Sequence, residues 1–200
     1  MFIELTDILR CPAPHDEQYL VLVPERMEHR MVQTGRLGCP VCHREYSIID
    51  GVATFSPRVP PTVDRNSPPG QLDAPALAAF LGLSGPGGYV GLIGEVTRFA
   101  ADLIREVPGV HFIGVNPPPG TNELPMMSLA GADTIPIRSR SLRGVLLGES
   151  FAGDPRWQAE AARSVLPGLR VAGVGALPTD PSLRFLAGAD GWWVSERGTA

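Results

Sequence analysis

Three cysteines and one histidine in the first 42 residues have the types and the spacing of a metal site. Cys39 and Cys42 form a Cys-x-x-Cys pair, and two thiolates at this spacing can bind one tetrahedral ion from a tight turn. A Cys-Pro dipeptide begins at Cys39 and again at Cys11, where His15 follows closely. Three sulfur ligands and one imidazole satisfy tetrahedral coordination. The sequence therefore predicts a zinc site whose ligands are Cys11, His15, Cys39 and Cys42.

Two alternatives to this zinc site remain open. Pro14 stands where a second Cys-x-x-Cys would place its second cysteine, so the segment could have lost a ligand and fold without metal. His29 and His43 are weaker candidates for the fourth ligand. A redox role is disfavoured because the Cys-x-x-Cys does not open a helix after a βαβ-type strand. An odd number of cysteines without a secretory context also argues against a disulfide framework.

Composition and charge exclude several classes of function. All 17 basic residues are arginine, so no Schiff-base or P-loop lysine is available. The net charge of −4 gives no basic excess for binding nucleic-acid phosphates. No apolar run approaches the roughly 18 residues that span a bilayer. The first ten residues, MFIELTDILR, carry acids where a signal peptide is basic, so we expect a cytoplasmic protein.

The elements that position these residues fall into two groups. Residues 1–56 predict a small β module, with a short helix over 2–9 and strands near 18–23, 31–34 and 45–49. Residues 57–72 are rich in proline and predict a linker. In residues 73–200 strands and helices alternate, which predicts an α/β domain with a mostly parallel sheet and right-handed crossovers. We expect its strands at 89–94, 110–115, 133–137, 143–148, 169–177 and 191–196, and its helices at 73–83, 95–107, 154–166 and 182–186.

The N-terminal module resembles a known family of small zinc ribbons. The Leu-rich turn before Cys11-Pro12, and the stretch LGCPVCHREYSIIDGVATF, are similar to the tRNA methyltransferase subunit 112 family over about residues 3–56. The resemblance implies a zinc ribbon. It also implies a partner, because family members bind and stabilise methyltransferase domains. A similar ribbon is fused in front of some bacterial methyltransferases.

Residues 76–193 resemble the Rossmann-like S-adenosylmethionine methyltransferases at three places. LAAFLGLSGPGGYVGLIGEVTRFAADL is similar to the lead helix, the first strand, the cofactor loop and the next helix. SLRGVLLGES is similar to the fourth strand, and AARSVLPGLRVAGV to the stretch that leads into the fifth. The resemblance implies a Rossmann-like, mostly parallel sheet with helices on both faces, and a cofactor site in the loop after the first strand.

That loop departs from the family's pattern of an acid followed by alternating glycines. Glycine is needed there because a Cβ would collide with the cofactor. Gly91 stands at the acid position, and three glycine positions hold Ile93, Glu95 and Thr97. Asn116 stands where an acid ends the second strand, and an amide lacks the charge that strengthens a hydrogen bond to the ribose. The sequence therefore predicts a vestigial cofactor site at Gly91, Gly94, Glu95 and Asn116.

Three functions are consistent with these features. The first is a non-catalytic, methyltransferase-like adaptor or regulatory protein that binds zinc but not S-adenosylmethionine. The second is an active methyltransferase on RNA or a small molecule, in which Glu95 or Asn116 holds the cofactor. The third is an activator whose ribbon recruits a separate methyltransferase. We favour the first and expect a protein partner, with a methyltransferase as one candidate, and neither a nucleic-acid nor a membrane partner.

Overall fold

The structure is a computed structural model that describes residues 1–56 and 72–199. A 3-10 helix, Ile3–Asp7, precedes the strands β1 Val21–Glu28, β2 Met31–Gly38, β3 Glu45–Ile49 and β4 Val52–Thr54. The strands of the second region are β5 Tyr89–Ile93, β6 His111–Val115, β7 Met127–Gly131, β8 Leu142–Leu147, β9 Val165–Val174, β10 Leu183–Ala189 and β11 Trp192–Arg197. Its helices are α1 Ala74–Leu81, a 3-10 helix Gly94–Phe99 that continues as α2 Ala100–Glu106, α3 Glu149–Ala152 and α4 Pro155–Ser164.

All of these strands belong to one sheet. Their order is β1-β2-β3-β4-β7-β6-β5-β8-β9-β11-β10. Strands β1 to β4 pair antiparallel, and β4 then pairs parallel with β7. The central strands β7, β6, β5, β8 and β9 are parallel, and β11 lies antiparallel between β9 and β10. The fold is therefore α/β and Rossmann-like, as predicted, with the N-terminal strands extending its sheet.

Helices cover both faces of the parallel strands. Helices α1 and α2 pack on one face, where Leu77 and Leu103 are buried against Val90 and Leu92 of β5. Helices α3 and α4 pack on the other face, which also receives Ile93. Residues of β5 alternate between the faces because successive side chains of a strand point in opposite directions. Burying one such leucine contributes roughly 1.5–3 kcal/mol.

The N-terminal segment fills a place that crossover helices usually occupy. Residues 116–126 and 132–141, which connect β6 to β7 and β7 to β8, contain no helix. The Phe2 N–H donates to Ser128 Oγ at 2.9 Å, and the Arg138 N–H donates to the Ile8 carbonyl at 2.8 Å. Leu5 and Leu9 are buried in the same core. The two predicted modules thus share one sheet and one core, and the predicted linker lies, except for Leu72, outside the described residues.

Several predicted elements are confirmed and others are wrong. Asp73 caps α1 as predicted, since its side chain accepts the Ala76 N–H at 3.0 Å. The strand predicted over 133–137 is wrong: β7 lies earlier, and Ile137 makes only an isolated bridge with Leu9. The helix predicted over 182–186 is also wrong, because this segment begins β10 and pairs with β11.

Two predicted helices have different ends. The helix predicted over 95–107 begins with a 3-10 turn, where Thr97 Oγ1 donates to the Gly94 carbonyl at 2.9 Å. Helix α4 stops at Ser164 because Val165 already pairs with Leu142 of β8. Among the helices of residues 1–56 and 72–199, none combines the length and the hydropathy that crossing a bilayer requires.

Candidate metal centre and the crevice at the parallel strands

The four predicted metal ligands come together. The sulfurs of Cys11, Cys39 and Cys42 and a ring nitrogen of His15 all lie within 4.8 Å of one another. The Cys11 and Cys42 sulfurs are 3.7 Å apart, and His15 Nε2 is 3.4 Å from Cys39 Sγ. Sulfurs bound to one tetrahedral zinc at about 2.3 Å lie roughly 3.8 Å from each other. The arrangement therefore fits a tetrahedral ion, and His29 and His43 lie outside the cluster.

Two tight turns present these ligands. In the turn after β2, the Cys39 N–H donates to the Arg44 carbonyl and the His43 N–H donates to the Cys39 carbonyl, both at 3.0 Å. In the facing turn, the Cys11 N–H donates to the Gln18 carbonyl at 2.8 Å. Backbone bonds hold both turns, so the ligands are positioned by the fold as well as by any ion.

Local hydrogen bonds prepare the ligand atoms for a cation. His15 Nδ1 lies 2.7 Å from the Asp16 carbonyl oxygen, which accepts a hydrogen bond from the Nδ1–H and so leaves the Nε2 lone pair for the metal. That bond also raises the pKa of His15. The backbone N–H of Arg44 lowers the pKa of Cys42 to about 7, whereas burial raises the pKa of Cys11. A metal must therefore displace the Cys11 proton, which couples its binding to pH.

Sequence reasoning missed one side chain at this centre. The Tyr46 hydroxyl lies 3.2 Å from Cys11 Sγ. Tyr46 belongs to β3, where it points inward on the same face as Ile48. Its ring centroid is 5.2 Å from that of Phe55. The alternation of buried and exposed residues in β3 is the signal that could have found Tyr46. Strand β3 follows the turn that carries Cys39 and Cys42, so its first inward-pointing residue lies next to the metal ligands.

The second candidate site lies where the order of the parallel strands reverses. Strands β6 and β7 lie on one side of β5, and β8 and β9 lie on the other. In open α/β sheets, ligands bind in the crevice outside the carboxyl ends of the strands at such a point. The segment Gly94–Phe99 follows β5 at this edge, Asn116 follows β6, and Gly148 follows β8.

Protein side chains fill the crevice between β5 and β8. Glu95 exposes only 7% of its surface, and its Oε1 accepts the Glu149 N–H. Its carboxylate lies so close to Gly148 that a Cβ there would overlap it. Gly94 has φ +78, and a Cβ on it would come within 2.5 Å of the Phe151 ring. Glu95 Oε2 is buried and has no hydrogen-bond partner among the described residues.

The other predicted cofactor residues lie in two environments. Asn116 is buried with φ +52, and its amide bonds the Ala132 backbone twice: Oδ1 accepts the N–H at 2.9 Å, and Nδ2 donates to the carbonyl at 2.7 Å. Gly91 lies inside β5, where a Cβ would be 3.3 Å from Leu142 and from Val145. The structure thus places Gly94, Glu95 and Asn116 at the crevice and Gly91 within the sheet.

Several solved methyltransferase structures are similar to part of this chain. No protein-family model matches the chain, and no curated protein matches it. A chain in the complex of the Haloferax volcanii Trm112 methyltransferase activator matches 49% of this chain and 50% of its own length, with 20% identity and a TM-score of 0.40. Geranyl diphosphate C-methyltransferase from Streptomyces coelicolor A3(2) matches 50% of this chain and 42% of its own, with 15% identity and a TM-score of 0.40.

The antibiotic-resistance methyltransferase Kmr matches a larger share. It covers 65% of this chain and 95% of its own length, with 12% identity and a TM-score of 0.44. The matched part spans about half of the length of the first two structures. At these identities the likeness concerns the fold alone.

Proposed function

We propose that this chain is a zinc-stabilised, methyltransferase-like protein that does not catalyse methyl transfer and acts by binding a protein partner. One observation carries the proposal: the buried Glu95 side chain lies in the crevice where a Rossmann-like sheet binds its nucleotide or nucleoside. A nucleoside there needs bare backbone and open space. It would have to displace a carboxylate that already satisfies the Glu149 N–H.

The end of β6 supports the same proposal. A ribose needs a hydrogen-bonding side chain with free acceptors at this position. Both groups of the Asn116 amide instead bond the Ala132 backbone. Releasing Asn116 for a ligand would leave the buried N–H and carbonyl of Ala132 unsatisfied, at a cost of about 1–3 kcal/mol for each group. Two side chains therefore disfavour nucleoside binding in the crevice: Glu95, which follows β5, and Asn116, which follows β6.

Zinc has a structural role in this proposal. Cys11, His15, Cys39 and Cys42 each offer one ligand atom. A tetrahedral ion bound by all four would have no open coordination position for a substrate. When bound, the ion supplies folding free energy by holding the two turns together. The Arg10 guanidinium next to the first turn pairs with Glu160 of α4 at 3.0 Å, so the centre also helps to fix the N-terminal region against the Rossmann-like region.

The partner surface is best sought on the N-terminal strands. Strand β1 is an outer strand of the sheet; Val21 and Val23 are exposed on it, and Tyr19 is exposed just before it. Strand β4 is not available, because it pairs with β7 of the same chain.

Calorimetric titration with S-adenosylmethionine and S-adenosylhomocysteine tests the proposal. We expect no heat of binding up to millimolar ligand for the wild type. Glu95→Ala should gain measurable affinity, because it opens the crevice, and the matched variant Glu149→Ala, which changes an exposed neighbour, should not. Micromolar binding by the wild type would refute the proposal.

An active S-adenosylmethionine-dependent methyltransferase is the second candidate. Glu95 Oε2 favours it, because this buried carboxylate oxygen has no partner in residues 1–56 and 72–199 and is free to accept a hydrogen bond from a ligand hydroxyl. In that case Glu95→Ala would lose affinity rather than gain it. The same titration therefore separates the two candidates by the sign of the effect.

A further inference from the structure

The Tyr46 hydroxyl contacts the Cys11 sulfur in the core of the N-terminal region. The two atoms are 3.2 Å apart, and the residues expose only 8% and 1% of their surfaces. Cys11 is the most deeply buried of the four proposed ligands. This sulfur therefore has the least access to water of the four ligand groups.

Tyr46 is held in place independently of the metal-binding turns. Tyr46 lies in β3, where it pairs with Leu37 of the neighbouring strand β2. Its ring packs on Phe55, whose N–H donates to the Gly131 carbonyl at the end of β7 at 2.7 Å. The sheet thus fixes the direction of the hydroxyl before any ion arrives.

Metal binding determines which of the two groups donates. A thiol and a phenol can each donate to the other. A metal-bound cysteine is a thiolate and carries no proton, so it can only accept. Burying an anion away from water is costly unless hydrogen bonds replace its hydration. The Ala13 N–H offers one such bond to Cys11, and the Tyr46 O–H offers a second.

We propose that Tyr46 is a positioning residue of the metal centre: its hydroxyl donates to the Cys11 thiolate, orients that ligand and raises the affinity for the ion. The inference rests on the proposed zinc centre and extends it beyond the four ligands. Groups that hydrogen-bond to metal ligands change metal affinity by about 10- to 100-fold when they are removed. Tyr46→Phe removes the donor but keeps the ring on Phe55.

Tyr89→Phe is a matched control. The Tyr89 hydroxyl also makes one partly buried hydrogen bond, to the Glu4 carbonyl at 3.3 Å, but this bond does not involve a metal ligand. Zinc dissociation constants are measured by competition with a chromophoric chelator. In the cobalt(II)-substituted proteins, the thiolate-to-metal charge-transfer band reports on the three sulfur ligands together, and only Cys11 of these has the Tyr46 hydroxyl beside it.

For Tyr46→Phe we expect zinc affinity about 10- to 100-fold weaker than wild type and a shifted cobalt band, with neither change in Tyr89→Phe. Equal affinity and an equal cobalt spectrum in both variants and the wild type would overturn the inference and leave the zinc centre standing. Absence of zinc binding by the wild type would overturn both. If Tyr46→Phe does not fold, cadmium-113 NMR of the wild type decides: coupling between the Tyr46 hydroxyl proton and the metal supports the bond, and its absence refutes it.

Discussion

Lowering the pH from 7 to 5 should destabilise the protein through His111. This histidine exposes 3% of its surface, its Nε2 lies 3.0 Å from Ser128 Oγ, and its ring stacks on Phe2 at 4.7 Å. Burial lowers its pKa from the ordinary 6.5 to about 4. Between these two values the unfolded chain binds a proton that the folded protein does not, so stability is lost as the pH falls below 6.5.

The size of the effect follows from the two pKa values. Linkage with 6.5 in the unfolded state and about 4 in the folded state gives a loss of about 2 kcal/mol between pH 7 and pH 5. Urea unfolding at the two pH values measures it. His111→Gln does not titrate and keeps an amide near Ser128. Its loss of unfolding free energy between pH 7 and pH 5 should therefore be about 2 kcal/mol smaller than that of the wild type.

The comparison isolates one group. Carboxylates and the proposed metal ligands also titrate in acid, but the wild type and His111→Gln share them, and their contribution cancels in the difference. If His111→Gln lost as much stability as the wild type between pH 7 and pH 5, the buried neutral histidine would not be the cause.

Two further predictions concern the crevice and the metal centre. Phe151→Ala should lower the free energy of unfolding by about 3–5 kcal/mol in thermal or urea melts, because the buried ring packs on Gly94 and on Trp157. The control Phe185→Ala removes an exposed ring and should change the free energy of unfolding by about 0.5 kcal/mol or less. His15→Asn should weaken zinc binding in chelator competition, and His43→Asn should not; equal loss in both would contradict the proposed ligand set.

The parts of the fold set by local signals could be predicted from the sequence. Asp73 before an apolar helical stripe predicts a cap, and the apolar run of β5 predicts a buried strand. Strand β7 has the sequence Met-Ser-Leu-Ala-Gly, which contains no β-branched residue. Its pairing with β4 and β6 makes it a strand, and such pairing is set by tertiary contacts rather than by propensity.

In the candidate sites too, features with a local sequence signal were predictable and features that depend on tertiary contacts were not. The cysteines and His15 were predictable because metal chemistry restricts both the residue types and their spacing. The contact between Glu95 and Glu149 was not, since it joins residues 54 positions apart and depends on how β5 and β8 lie in the sheet. The resemblance to the methyltransferases implies a glycine at residue 95, where this sequence has glutamate, but only the fold shows where the glutamate side chain points.

The burial of the first residues beneath β5, β6 and β7 has a consequence for biosynthesis. Phe2 contacts Ser128 across 126 positions, so the N-terminal segment cannot reach its final place until most of the chain has left the ribosome. Contacts of such long sequence separation slow folding, because a large loop must close before they form. Until then Leu5 and Leu9 remain exposed to water, and the nascent chain is most vulnerable to aggregation and to proteases during that interval.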